Sequence, residues 1–141
     1  MKSFWVLGHR VRPIHTIGDF GLVEIITSPG TPGPPPHHHA EAAEFFYVAD
    51  GRLDVCIDGV WRTLSSGESH SIEPGCVHTL ANNSTRDVRW LTGWSPRGFE
   101  HFFTHFGHDA EQAGAREGSL SEESVRAVVS GCSEFGMILD G

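Results

Sequence analysis

Turn-forming residues leave this chain no room for long elements over most of its length. Ser28-Pro29-Gly30, Asp50-Gly51, Asp58-Gly59, Ser66-Gly67 and Pro74-Gly75 punctuate it. Turn signals recur about every eight to twelve residues, the spacing of an all-β sandwich or barrel. Segments between them carry the period of two that a half-buried strand requires. Leu53, Val55 and Ile57 alternate with Asp54, Cys56 and Asp58, while Val88, Trp90, Thr92 and Trp94 alternate with Asp87, Arg89, Leu91 and Gly93. Further strands are read over residues 22–27, 44–48, 60–64, 69–72 and 77–80. Asp58-Gly59 predicts a two-residue hairpin, because a type I′ turn needs φ > 0 at both central positions. The run Thr31-Pro32-Gly33-Pro34-Pro35-Pro36 must be a loop or an edge, since proline has no N–H to give to a ladder.

After Pro96 the pattern changes. Phe99, Phe102, Phe103 and Phe106 fall at helical spacing, and residues 107–118 read as a polar loop. Ser119-Leu120-Ser121-Glu122 has the spacing of a capping box, Val125, Val128 and Val129 form an apolar stripe, and Gly131 is the expected stop. One domain over residues 1–141 follows, with a β core over about 20–96 and a helical extension over about 97–141.

Ten Lys and Arg stand against eighteen Asp and Glu, a net charge of −8. Such a surface repels phosphate backbones and anionic lipid heads, so neither nucleic acid nor a membrane is an expected partner. No apolar run approaches the roughly 18 residues of a spanning helix, and the first ten residues are too polar for a signal-peptide core. Three cysteines, Cys56, Cys76 and Cys132, form no disulfide framework, and a cytoplasmic location is expected.

Ten histidines in so short a chain require a reason, and His37-His38-His39 supplies one. On a strand His37 and His39 share a face, so both imidazoles can turn toward one metal ion. Glu44 follows on the next strand, and His78, behind the Pro74-Gly75 turn, can bring a third imidazole. Glu41 has the parity of a rival carboxylate, but its alanine-rich surroundings read as a link and its charge as part of a rim. Three neutral nitrogens and one anionic oxygen suit one divalent transition ion, namely Fe, Mn, Co, Ni, Cu or Zn. His101 and His105 are also spaced i, i+4 but lack the glutamate of a zinc-protease helix, and they read as a wet face. Cys76 reads as a packed thiol and Glu73 as an exposed turn carboxylate.

The spacing His37-x-His39-x4-Glu44-x6-Gly51 resembles the first signature of the cupins. Gly67-x5-Glu73-x-Gly75-x2-His78-x3-Asn82 resembles the second, with Glu73 where the family usually has proline; Thr31 stands where the first signature usually has glycine. The resemblance implies a double-stranded β-helix, or jelly-roll barrel, with short C-terminal helices appended. It implies a metal held by His37, His39, Glu44 and His78, with Glu44 also placed to act as a catalytic base. Pro34 to His39 and Ser95 to Glu100 resemble the corresponding stretches of quercetinase-type dioxygenases. The activity this implies is a dioxygenase acting on a small aromatic or polyphenolic molecule. A small-molecule-binding cupin without turnover and a non-redox isomerase or lyase are the alternatives. Phe46, Val48, Trp90 and Thr92 are the expected substrate pocket, with Trp94 and His70 beside them. A homodimer is expected by analogy with small cupins.

Overall fold

A computed structural model describes residues 2–140, and its architecture follows from the alternation of inward and outward side chains. The strands are Phe4–Val6 (β1), His9–Ile14 (β2), Gly21–Thr27 (β3), His37–His39 (β4), Ala43–Asp50 (β5), Arg52–Ile57 (β6), Val60–Ser65 (β7), Ser69–Ile72 (β8), His78–Ala81 (β9) and Val88–Ser95 (β10). Helix His101–Phe106 (α1), strand His108–Asp109 (β11), helices Ala115–Ser119 (α2) and Glu122–Gly131 (α3), a 3-10 turn Cys132–Phe135 and strand Met137–Leu139 (β12) complete the order. Two antiparallel sheets result. The larger runs β11-β1-β2-β3-β10-β5-β8 and the smaller β12-β4-β9-β6-β7. This is the mostly β jelly roll with short C-terminal helices that the sequence leads one to expect.

Alternation is strictest on the central strands. In β3 the odd-numbered residues from Gly21 to Thr27 are buried and the even-numbered ones half-buried. Val23, Ile25, Phe46, Val48, Val88 and Trp90 face inward from the larger sheet, and Leu53, Val55, Leu64 and Leu80 belong to the smaller. Asp58 and Gly59 have φ of 52° and 83° in the hairpin between β6 and β7, as the type I′ reading requires.

Several details differ from the sequence reading. Strands β1 and β2 precede residue 20, and β11 and β12 lie beyond residue 96. Residues 107–118 are not wholly loop, because His108 and Asp109 pair with Trp5 and Phe4 and a short helix begins at Ala115. The cap of α3 is Ser121, whose side chain accepts from the Ser124 N–H; Ser119 instead accepts from the Gly8 N–H and donates to the Arg116 carbonyl. Only Val128 of the valine stripe is buried; Val125 and Val129 are exposed. Gly131 does not end the helical segment in the left-handed region; the chain continues to Gly136, at φ 82°.

From the larger sheet to the proline-rich loop runs a buried polar chain that the sequence reading did not include. His9, at 7% exposure, places Nε2 2.9 Å from the Pro32 carbonyl and Nδ1 2.8 Å from Thr27 Oγ1. A carbonyl only accepts, so Nε2 carries the proton and Nδ1 accepts from the threonine hydroxyl. Thr27 Oγ1 in turn accepts from the Trp90 indole N–H at 3.1 Å. Burial pulls the His9 pKa from 6.5 to about 4, so the ring is neutral at pH 7. The unfolded chain protonates first as pH falls, so this stability is present above about pH 6.5 and lost progressively toward pH 4, by roughly 3 kcal/mol. In calorimetry, His9→Gln should therefore show a fall in Tm between pH 7 and pH 4.5 that is smaller than that of the unaltered protein by about 5 °C. Equal slopes in the two proteins would contradict a neutral His9.

Candidate metal centre

The proline run places the first two imidazoles. Thr79 Oγ1 donates to the Pro34 carbonyl at 2.6 Å, Pro32 bridges to Ala81, and Gly33 lies so close to the Leu80 carbonyl that any Cβ would collide with it. The loop is thus laid along β9 before it enters β4, where His37 comes directly opposite His78. Strand alternation then buries His37 and His39 and leaves His38 half-buried, paired with Ile138 of β12. The connection through Ala40–Ala42 crosses to the larger sheet, and Glu44 faces the imidazoles from there.

Ligand atoms of His37, His39 and His78 lie within 4.8 Å of one another, and all three residues are buried. His37 Nδ1 is 2.9 Å from the Pro35 carbonyl and His78 Nδ1 is 2.9 Å from the Cys76 carbonyl. Both Nδ1 atoms must donate, which leaves each Nε2 as the coordinating position. Glu44 Oε1 is 2.9 Å from His78 Nε2 and 3.1 Å from His39 Nε2, while Oε2 accepts from the Thr92 hydroxyl at 2.6 Å. The His39 approach lies off the hydrogen-bond line, so this buried Nε2 has no partner among the described residues.

Burial opposes ionisation of Glu44, yet its contacts with His39 and His78 outweigh that and hold the carboxyl well below the usual range. Burial also pulls His78 down, but the hydrogen bond and charge of Glu44 leave it raised. His37 is lowered to about 4, mainly by burial and then by His78, so it is a neutral base at pH 7. An ionised carboxylate facing imidazole nitrogens, with Nδ1 of His37 and His78 already donating elsewhere, needs a cation between them. Protons on the rings or a divalent metal can supply it, and the orphaned His39 Nε2 fits a metal.

A cavity of about 70 Å³ adjoins the cluster. Phe46, Trp90, Thr92 and Trp94 line it, together with His9, which the sequence reading omitted. Val48 does not: it is fully buried in the core but absent from the cavity wall, and His70 is likewise outside it. Phe99, Phe102 and Phe103 close the wall from the C-terminal extension, and Met137 from β12. The helical spacing of the phenylalanines does not itself say what they cover. Of the other residues weighed, Glu41, Glu73, His101 and His105 are exposed and Cys76 is half-buried.

A family model for the cupin domain, Cupin_2, matches residues 23–94, and the chain belongs to this family. The probable oxidoreductase patJ of Penicillium expansum is 41% identical over 61 residues, covering 42% of this chain and 19% of that protein. This chain thus matches only about a fifth of the length of that relative. KdgF from Halomonas sp. has a similar fold, with a TM-score of 0.61 at 22% identity over 67% of this chain and 85% of that one. The Cupin_2 domain of an XRE family transcriptional regulator from Enterobacter cloacae aligns with a TM-score of 0.57 at 29% identity, over 64% of this chain and 99% of that one.

His78→Ala is expected to hold about a tenth or less of the metal held by the unaltered protein, with its β-rich circular dichroism retained. Glu44→Ala should bind metal at least about tenfold more weakly, and Glu41→Ala should match the unaltered protein. Elemental analysis and competition with a chelator measure both; undiminished metal in His78→Ala would refute this ligand set.

Proposed function

We propose that the protein is a mononuclear metal-dependent oxygenase acting on a small aromatic molecule. One observation carries this reading: three inward imidazoles and a carboxylate border a cavity whose remaining wall is mostly aromatic and aliphatic. His37, His39, His78 and Glu44 would hold the ion. When bound, it would supply Lewis acidity toward a substrate oxygen and, if redox-active, a means of engaging dioxygen.

The side chains have separate tasks. Pro35 and Cys76 carbonyls fix the tautomers of His37 and His78, which keeps two nitrogen lone pairs aimed inward. Thr92 holds Oε2 of Glu44, so Oε1 is the oxygen that faces the imidazoles. A substrate hydroxyl brought against Glu44 can pass its proton to that carboxylate, the usual work of a general base. Phe99, Phe102 and Phe103 line the same space with apolar surface. A cavity of about 70 Å³ is too small for a multi-ring polyphenol.

Metal analysis of protein purified without a histidine-affinity column, followed by an oxygen-electrode screen with phenolic substrates, tests the reading. Oxygen uptake is expected with iron, manganese, copper or nickel. Glu44→Gln should reduce it by about a hundredfold or more, the scale of a lost general base. Turnover with zinc and no oxygen consumption would replace the oxygenase by a non-redox enzyme.

A further inference from the structure

The polar groups of the cavity are unevenly distributed. His37, His39, His78, Glu44 and Thr92 gather at the metal centre, whereas the remaining wall is apolar apart from His9, whose two nitrogens are already paired within the protein. No lysine or arginine is among the described residues that line it. The nearby Arg97 side chain is engaged outside the cavity, with Glu100 and the Gly18 carbonyl. Trp94 adds one neutral donor: it lines the cavity, and its buried indole N–H has no acceptor among the described residues.

We propose that this cavity selects single-ring molecules carrying no more than one ionised oxygen, and that it rejects phosphorylated and dicarboxylate compounds. The proposal rests on the metal-centre reading above and names the substrate class of that site. Three imidazoles are neutral as ligands and Glu44 contributes one negative charge, so a divalent ion leaves one positive charge for the substrate to cancel. A single phenolate or carboxylate oxygen does so. A second negative charge on the same small molecule would lie against Phe46, Leu80, Trp90 or the phenylalanines of the extension, where no cation or spare charged donor can receive it.

Binding to the full zinc-loaded chain under nitrogen tests this without requiring turnover. Benzoate carries one carboxylate; terephthalate and its monoamide share a size and differ by one charge. In nitrogen–proton correlation spectra, benzoate and the monoamide should shift the indole resonances of Trp90 and Trp94 and leave that of the exposed Trp61 in place. Terephthalate should bind at least about tenfold more weakly than its monoamide by calorimetry, a difference of about 1.4 kcal/mol. Equal affinities for the pair, or a benzoate titration that leaves Trp90 and Trp94 unmoved, would overturn the proposal. Failure of the oxygenase reading would appear separately, as absent oxygen uptake, with these binding preferences intact.

Discussion

Glu44 is an acidic side chain set between two sheets, at 7% exposure, and the molecule has to answer its charge. An isolated ionised carboxylate in such a place costs far more than any hydrogen bond returns. The answer is built from the opposite sheet, where β4 and β9 present three imidazoles toward it. Thr92, one strand over in the larger sheet, takes the other carboxylate oxygen. Removing His39 or His78 takes away a group in direct contact with the carboxylate, and this contact couples the two sheets electrostatically.

Around that contact the fold uses ordinary devices. The proline-rich loop has few backbone donors of its own, so it is laid along β9 by a threonine hydroxyl and a glycine too crowded for a side chain. Phe99 and Phe103 of the extension pack with Trp94, at ring separations of 4.9 Å and 5.7 Å, and Phe102 stacks on Phe99 at 4.8 Å. Phe99 also meets the edge of His39 at 4.4 Å. Aromatic side chains of the extension therefore rest directly on an imidazole of the candidate metal centre. Glu100 braces the start of that extension, accepting from the Gly98 N–H at 2.6 Å and from Arg97.

Much of this was legible from residue order, because the decisive patterns are local. Strand parity selects His37 and His39 and leaves His38 outside, and the same parity puts Trp90, Thr92 and Trp94 on one face. The Asp58-Gly59 hairpin needs only its two residues. What escaped is non-local. His9 reads as one more polar residue in a short strand until Thr27 and Pro32 are placed beside it, 18 and 23 positions away. Val48 has the right parity for the pocket, but parity fixes a face and says nothing of depth along the barrel. Ser119 and Ser121 both precede an apolar stripe, and only the packing of Ser119 against Gly8 decides which is free to cap.

The strand bearing two of the imidazoles is only three residues long, and on the β9 side its ladder is a single pair, His37 with His78. Its other neighbour is β12, which matches Met137, Ile138 and Leu139 to His39, His38 and His37. The Ala40 N–H to Gly136 and the Asp140 N–H to Pro36 extend that seam at both ends. Segments about a hundred positions apart must therefore have met before either imidazole is held in place. Such high contact order makes the geometry of the three-imidazole cluster a property of the finished tertiary structure, assembled late and dependent on how firmly the last strand stays docked.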